Sequence, residues 1–295
     1  MYTIKHHQDQ NILEIKNSEN SVYGKIHLDA GASLQELTIG GHAIIQDLSP
    51  LTYESTYASA ILFPFANRIK DGTYEFNGKS YQLKKNQEEE QNALHGLVYN
   101  KTFKVIQQEA TNSEAKVALE YIENNTSQGF PFTYKIKVDY TFKKNAVNLG
   151  VTITNTSTKP FPFTLGWHPY FISENLNESE LNFDSHQKLV LGERNITTGI
   201  EAIENTGTLH LKDQQLDDCW ILNSDKVTFK TPKYNLEFST SGTNNYLQAY
   251  TPPKPNVIAI EPTTGVSDSF NNSIGLEILK ANGSHTINWG LKITN

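Results

Sequence analysis

Apolar and polar residues alternate along much of this chain. The alternation is regular over residues 134–142, 147–153 and 287–293, where every second side chain is aliphatic or aromatic. A period of two indicates β-strands with one buried and one solvated face, as in antiparallel sheets. No window of a dozen residues keeps apolar side chains three and four positions apart, so the pattern predicts no long helix.

Turn-forming residues separate these strands over the whole length of the chain, which predicts an all-β sandwich or barrel. Asn77-Gly78 lies between two alternating segments and predicts a hairpin with a two-residue turn. The stretch from Gly72 to Gly78 resembles a phosphate-binding loop, but five residues separate its glycines where that motif requires four. No linker or repeat divides the chain, so we expect one domain over residues 1–295.

Composition narrows the possible partners. The chain has 295 residues with 14 Tyr and 14 Phe, which predicts a core built from large aromatic side chains. Its net charge of −7 argues against binding to nucleic acid or to an anionic membrane. Arg68 and Arg194 are the only arginines, which leaves little for recognition of phosphate. These features favour a small neutral ligand.

A single cysteine, Cys219, excludes an internal disulfide and any site made of several cysteines. The first residues lack the basic and apolar pattern of a signal peptide, so we expect a cytoplasmic protein. No His-Glu-x-x-His motif and no Gly-x-Ser-x-Gly motif occurs. The sequence therefore predicts neither a metal site nor a serine hydrolase.

Two residues are candidates for proton transfer. His168 lies between aromatic residues in the segment 166–171, and could donate a proton or be an ordinary interior histidine held by a hydrogen bond. Glu261 follows four apolar residues and precedes Pro262, a pattern that predicts a carboxylate at the end of a buried strand. Such a carboxylate is a candidate general base, although some only cap loops.

Three further positions combine a polar side chain with an apolar or turn-rich setting. Arg68 follows an apolar stretch and needs a partner if buried, which a structural salt bridge could also supply. His95 precedes Gly96, in what could equally be a surface loop. Asp217 and Asp218 precede an aromatic residue, as in a turn before a strand. The acidic run within residues 84–91 is interpreted as a solvated loop.

Taken together and in order, these segments resemble the aldose 1-epimerase (galactose mutarotase) family, from about Gly31 to the C-terminal strand. The matching segments are Asn67-Arg68-Ile69, Leu94-His95-Gly96, Gly129-Phe130-Pro131, Asn155-Thr156-Ser157, His168-Pro169-Tyr170-Phe171, Asp217 with Trp220, and Ile260-Glu261-Pro262 with Asp268 and Asn271. The resemblance implies a large antiparallel β-sandwich, the galactose mutarotase-like supersandwich, with a cleft on one sheet.

The resemblance also implies residue roles. Glu261 would be the general base that takes the proton from the anomeric hydroxyl, and His168 the general acid that protonates the ring oxygen. Arg68, His95 and Asp217 would bind the sugar, with Asp217 preferred to Asp218 for its spacing to the following tryptophan. Neither metal nor other cofactor is implied. The expected partner is a small aldose, and the expected state a monomer or weak homodimer.

One departure from the family leaves the substrate open. Residues 97–103 lack the second glycine and the tryptophan that many members have after the Leu-His-Gly motif. A hexose-6-phosphate 1-epimerase is one alternative, which the scarcity of arginine disfavours. A non-catalytic carbohydrate-binding protein is another, although binding alone would not require both Glu261 and His168.

Overall fold

The computed structural model describes residues 1–204 and 207–294. The α-helices in these ranges are two single turns, α1 (Tyr53–Thr56) and α2 (Ser269–Asn272), so the prediction of no long helix is confirmed. Short 3₁₀ helices are Gln8–Gln10, Lys70–Gly72, Leu176–Glu178 and Glu193–Asn195. None of the helices in the described ranges is long and apolar enough to cross a membrane.

Strands make up most of the remaining structure. In chain order they are β1 (Tyr2–His7), β2 (Ile12–Asn17), β3 (Tyr23–His27), β4 (Ser33–Ile39), β5 (His42–Ile45), β6 (Ile61–Leu62), β7 (Arg68–Ile69), β8 (Thr73–Phe76), β9 (Lys79–Gln82), β10 (Ala93–Leu94), β11 (Lys104–Ala110), β12 (Glu114–Glu123), β13 (Tyr134–Lys143), β14 (Ala146–Asn155), β15 (Phe161–Phe163), β16 (Gly166–Trp167), β17 (Tyr170–Ile172), β18 (Glu180–Phe183), β19 (Gln187–Leu191), β20 (Thr197–Ala202), β21 (Gly207–His210), β22 (Asp217–Ile221), β23 (Lys226–Lys230), β24 (Asn235–Thr240), β25 (Tyr246–Tyr250), β26 (Val257–Thr263), β27 (Glu277–Leu279) and β28 (Ser284–Thr294).

Within the described ranges these strands form three main sheets. An N-terminal sheet contains β1 to β5 in order. A nine-stranded sheet has the order β11-β12-β13-β14-β28-β24-β23-β18-β21, and an eight-stranded sheet the order β20-β19-β22-β25-β26-β16-β6, with β17 also pairing with β26. Neighbouring strands run antiparallel, which confirms the predicted all-β fold.

The predicted hairpin is present. Phe76 at the end of β8 pairs with Lys79 at the start of β9, and the turn between them is Asn77-Gly78. Both turn residues have positive φ, 51° and 70°, which is the backbone that an Asn-Gly turn provides in a two-residue hairpin.

Aromatic side chains join the nine-stranded and eight-stranded sheets into a sandwich. The rings of Phe171 on β17 and Phe238 on β24 meet edge to face with centroids 4.9 Å apart. Two further ring pairs cross the same interface, Trp167 with Trp289 and Phe183 with Trp220. Large aromatic side chains therefore contribute to the core at this interface, as the composition predicts.

The N-terminal sheet packs on another part of the nine-stranded sheet. The hydroxyl of Tyr140 on β13 donates to the carbonyl of Ala32, 2.9 Å away. Gly24 on β3 lies so close to the ring of Phe142 that a Cβ there would approach it to 2.5 Å. One hydrophobic cluster thus extends from Tyr2 to Leu291.

Phe238→Ala should lower the free energy of unfolding by about 3 kcal/mol, because it removes a buried ring from the contact between two sheets and leaves a cavity. Chemical denaturation would measure the loss. The control is Ile278→Ala, since Ile278 is 58 % exposed and should change stability by less than about 0.5 kcal/mol. Equal effects of the two substitutions would contradict this account of the interface.

Candidate active site

A short antiparallel ribbon brings Arg68 and His95 together. Arg68 on β7 pairs with Leu94 on β10, and the backbone N–H of His95 donates to the carbonyl of Asn67 at 2.8 Å. Gly96 follows with φ 78°, and a Cβ there would lie 2.2 Å from the carbonyl oxygen of Phe63. The glycine therefore permits close approach to another chain segment, and His95 is buried rather than on a surface loop.

Three neighbouring strands of the eight-stranded sheet present polar side chains on one face. Gln248 on β25 lies opposite Glu261 on β26 and opposite Cys219 on β22. Because side chains alternate along a strand, Asp217 lies on the same face as Cys219, and therefore as Gln248 and Glu261. The face opposite carries apolar side chains such as Ile260 that join the core.

Two details of these strands differ from the sequence prediction. Glu261 lies within β26, which continues through Pro262 to Thr263, whereas the sequence predicted a strand end before the proline. Asp217 is the first residue of β22 rather than part of a preceding turn. Both carboxyl groups are therefore held by paired backbone on a sheet.

His168 lies between β16 and β17 and faces Glu261. Its backbone N–H donates to the carbonyl of Ala60 at 3.0 Å, and its carbonyl accepts from the N–H of Ser59 at 2.7 Å. The imidazole stacks on the ring of Tyr170, with centroids 4.9 Å apart. Nε2 of His168 is 3.5 Å from Oε1 of Glu261, and both side chains are nearly fully buried.

All five site residues expected from the sequence line one cleft. Arg68, His95, His168, Asp217 and Glu261 surround a volume of about 310 Å³. Sites for small molecules start at roughly this size, about 300 Å³. Chain segments nearly 200 residues apart thus converge on one site. The cleft is completed by polar and aromatic residues, among them Tyr57, Asn67, Gln248 and Tyr250.

Arg68 is held by partners on two sides. Its Nε lies 3.0 Å from Oε2 of Glu90, and its Nη1 donates to Oδ1 of Asn67 at 3.0 Å. Glu90 belongs to the acidic run interpreted as a solvated loop; its side chain is still 28 % exposed, but its pairing with Arg68 was not anticipated. Nothing in the sequence distinguishes it from Glu88 and Glu89, since all three are glutamates in succession.

The structure separates the two adjacent aspartates. Asp217 lines the cleft, and its Oδ1 accepts a hydrogen bond of 2.8 Å from Nε2 of Gln248. Asp218 points to the other side of β22, where its carboxylate is 2.6 Å from Nζ of Lys188. Gln248 was not anticipated, although a polar residue in the apolar segment 246–250 was a signal that could have identified it.

Burial shifts the pKa values of the central groups toward their uncharged forms. It raises the pKa of Glu261 well above its usual range; the charge of Asp217 raises this pKa further, and that of Arg68 lowers it. Burial lowers the pKa of His168 to about 3. The pKa of His95 falls well below its ordinary value through burial and the nearby His168 and Arg68.

These shifts define what the pair of His168 and Glu261 can do. Nε2 of the imidazole and Oε1 of the carboxyl group lie 3.5 Å apart, so a proton can pass between them and the ionisation of each group depends on that of the other. A carboxyl group and an imidazole that share a proton can exchange acid and base roles when a ligand lies against both. Among the described residues, no group of three or more His, Cys, Asp or Glu side chains is arranged to hold a metal ion.

Comparison with known proteins agrees with this architecture. The fold matches a galactose mutarotase-like protein from Clostridium acetobutylicum with a TM-score of 0.86 at 18% identity, covering 100% of this chain and 98% of that one. It also matches galactose 1-epimerase from Lactobacillus acidophilus, with a TM-score of 0.81 at 16% identity and coverage of 100% and 98%. The fold is therefore that of galactose mutarotase-like proteins.

Sequence comparison identifies the family. The chain belongs to the aldose 1-epimerase family, whose profile matches residues 14–292, and the family is one of isomerases. The Escherichia coli protein YihR is 24% identical over 269 residues, which cover 87% of this chain and 86% of that protein. Human galactose mutarotase is 30% identical over 158 residues, which cover 52% of this chain and 44% of the human protein. The family resemblance seen in the motifs is thus confirmed.

The pKa of His168 predicts how stability depends on pH. Between its ordinary pKa of 6.5 and the folded value of about 3, the unfolded chain binds a proton that the folded chain does not. Stability should therefore fall as the pH falls through this window, by up to about 1.4 kcal/mol for each pKa unit. His168→Asn should flatten this dependence in denaturation experiments at several pH values.

The matched control is His210→Asn, because His210 is largely exposed. It should leave the pH dependence of stability as it is in the wild type. If His168→Asn leaves the acid-side loss of stability unchanged, the imidazole is not the buried neutral group described above.

Proposed function

We propose that the protein interconverts the α and β anomers of a neutral, free aldose by opening and reclosing the sugar ring. The observation that carries this proposal is the buried contact between Glu261 and His168 in a polar cleft. Anomer exchange requires one group that removes a proton and a second that supplies one at the same moment. Membership in the aldose 1-epimerase family supports the same reaction.

In this proposal Glu261 takes the proton from the anomeric hydroxyl and His168 gives a proton to the ring oxygen. The C1–O5 bond breaks and the anomeric carbon becomes an aldehyde. Rotation about the C1–C2 bond presents the other face of the carbonyl, and the ring closes as both proton transfers reverse. The protein carries the same single proton before and after, so it needs no other reactant.

The charged neighbours of Glu261 act in opposite directions, since Asp217 raises its pKa and Arg68 supports its ionised form. The positive charge of Arg68 lowers the pKa of Glu261, which favours the carboxylate needed in a base. Hydrogen bonds from sugar hydroxyls would favour it further once they replace water in the cleft. Arg68, His95 and Asp217 are placed to bind those hydroxyls, and Tyr57 and Tyr250 offer aromatic surface to the sugar.

The charge balance of the cleft favours a neutral sugar over a sugar phosphate. Arg68 is the only arginine or lysine among the described residues that line the cleft, and it is already paired with Glu90. Two further carboxyl groups, Asp217 and Glu261, line the same cleft. A phosphate would therefore meet more acidic than basic groups, which disfavours the hexose-6-phosphate alternative.

Glu261→Gln should reduce turnover by about 10² to 10⁴-fold, because the amide cannot accept the proton of the anomeric hydroxyl. The melting temperature should stay close to that of the wild type, since the substitution keeps the shape of a buried group. Polarimetry of freshly dissolved α-D-galactose and α-D-glucose would measure turnover above the spontaneous rate. The control is Glu237→Gln, a partly buried glutamate on the nine-stranded sheet.

Retention of full activity in Glu261→Gln would contradict the assignment of the base. If the wild-type protein accelerates neither sugar, glucose 6-phosphate should be tried next. Calorimetric binding of a sugar without any acceleration would instead support a carbohydrate-binding protein.

The pH profile of turnover tests the electrostatics of the cleft. Because the pKa of Glu261 is raised, loss of activity on acidification should begin at higher pH than for an ordinary glutamate. The charge of Asp217 contributes to that rise, so Asp217→Asn should move this acidic limb to lower pH. Polarimetric kcat/KM at a series of pH values would measure the shift.

Asp218→Asn is the matched control, since Asp218 faces away from the cleft and pairs with Lys188. It should leave the acidic limb close to its wild-type position. If both variants shift the acidic limb equally and in the same direction, the cause is the loss of one negative charge in general. The position of Asp217 in the cleft would then not determine the pH of the acidic limb.

A further inference from the structure

We infer that Glu90 is a positioning residue whose carboxylate fixes the guanidinium of Arg68 in the orientation that binds substrate. The inference rests on the proposed function, because it takes the substrate that Arg68 binds in the cleft to be a sugar. It concerns a residue outside the set expected to touch substrate. Its basis is the contact of 3.0 Å between Oε2 of Glu90 and Nε of Arg68.

The geometry around Arg68 shows what this contact does. A guanidinium has five N–H groups in a rigid plane. In the described part of the chain, one is directed at Glu90 through Nε and another at Asn67 through Nη1. Two contacts on different nitrogens fix both the position and the rotation of the plane. The remaining N–H groups are then available to the cleft that Arg68 lines.

Glu90 is itself held in place. Its backbone carbonyl accepts a hydrogen bond of 3.0 Å from Nη1 of Arg194, and the same nitrogen lies 2.8 Å from Oδ1 of Asp71. Arg194 belongs to the 3₁₀ helix Glu193–Asn195, whose last residue, Asn195, lines the cleft. The two arginines of the chain therefore meet at one glutamate, one at its side chain and the other at its main chain.

Glu90 also balances charge around the site. The charges of Arg68 and Glu90 act on groups from several segments, namely His95, Arg194, Asp217, Tyr250 and Glu261. The negative charge of Glu90 raises the pKa of Asp217, whereas Arg68 lowers the pKa of both Asp217 and Glu261. Without Glu90, the positive charge of Arg68 would no longer be offset, and it would lower the pKa of these carboxyl groups further.

Four proteins test the inference: wild type, Glu90→Gln, Glu90→Ala and Glu89→Gln. Glu90→Ala should raise KM about tenfold with kcat within about twofold, since loss of orientation weakens binding of substrate and transition state alike. Glu90→Gln keeps an oxygen acceptor for Nε and should raise KM less. It should also move the acidic limb of the pH profile to lower pH. Glu89 is exposed, so Glu89→Gln should match the wild type.

A double substitution separates positioning from a purely structural role. If Glu90 acts through Arg68, adding Glu90→Ala to Arg68→Ala should leave KM unchanged from the single Arg68→Ala variant. If the increase in KM of the double variant is instead the product of the increases in the two single variants, the inference is overturned. A Glu90→Ala protein whose melting temperature and kcat fall while its KM stays at the wild-type value would also overturn it.

Crystal structures make the test independent of turnover. In Glu90→Ala the guanidinium of Arg68 should leave its wild-type position, and an unchanged position would overturn the inference. A wild-type protein that accelerates no sugar would overturn the proposed function instead. In that case the role of Glu90 would be tested without turnover. The measurements would be the position of the Arg68 guanidinium and the calorimetric Kd for galactose in the same variants.

Discussion

The buried contact between His168 and Glu261 is the constraint around which the site is arranged. Each group alone would be costly to ionise because its side chain is nearly fully buried, and burial moves their pKa values in opposite directions. Held 3.5 Å apart, the two groups can share one proton without leaving an isolated buried charge. In the proposed reaction, the charges of Arg68 and Asp217 would adjust how that proton is divided, in addition to binding the sugar.

The sandwich provides the rigidity that such a pair requires. Glu261 and Asp217 project from strands that pair with β25 on both sides, so the distance between them is set by the spacing of a sheet. His168 comes from the connection between two strands and is fastened through its backbone to Ser59 and Ala60. The proposed base is thus placed by the sheet, and the proposed acid by a loop tied to a neighbouring segment.

Regular features of the sequence predicted regular features of the structure. Alternation of apolar residues predicted the long strands β13, β14 and β28, and Asn77-Gly78 predicted its hairpin, because both depend on local geometry. The end of β26 was predicted wrongly, since Pro262 lacks an N–H group but the strand continues past it. The contact of Glu90 with Arg68 could not be predicted, because it depends on how a loop folds back over the site.

The contact between Glu90 and Arg68 also strengthens the argument that the small number of arginines disfavours a phosphorylated substrate. In the sequence, two arginines argued against phosphate recognition only by their number. In the structure both already face carboxylates, Arg68 at Glu90 and Arg194 at Asp71. A phosphate bound to the remaining N–H groups of Arg68 would lie near the carboxylate of Glu90 and the carboxyl groups of the cleft, which repel its charge. A neutral sugar can use the same N–H groups without that repulsion, so the pairing of the arginines with carboxylates supports an uncharged substrate.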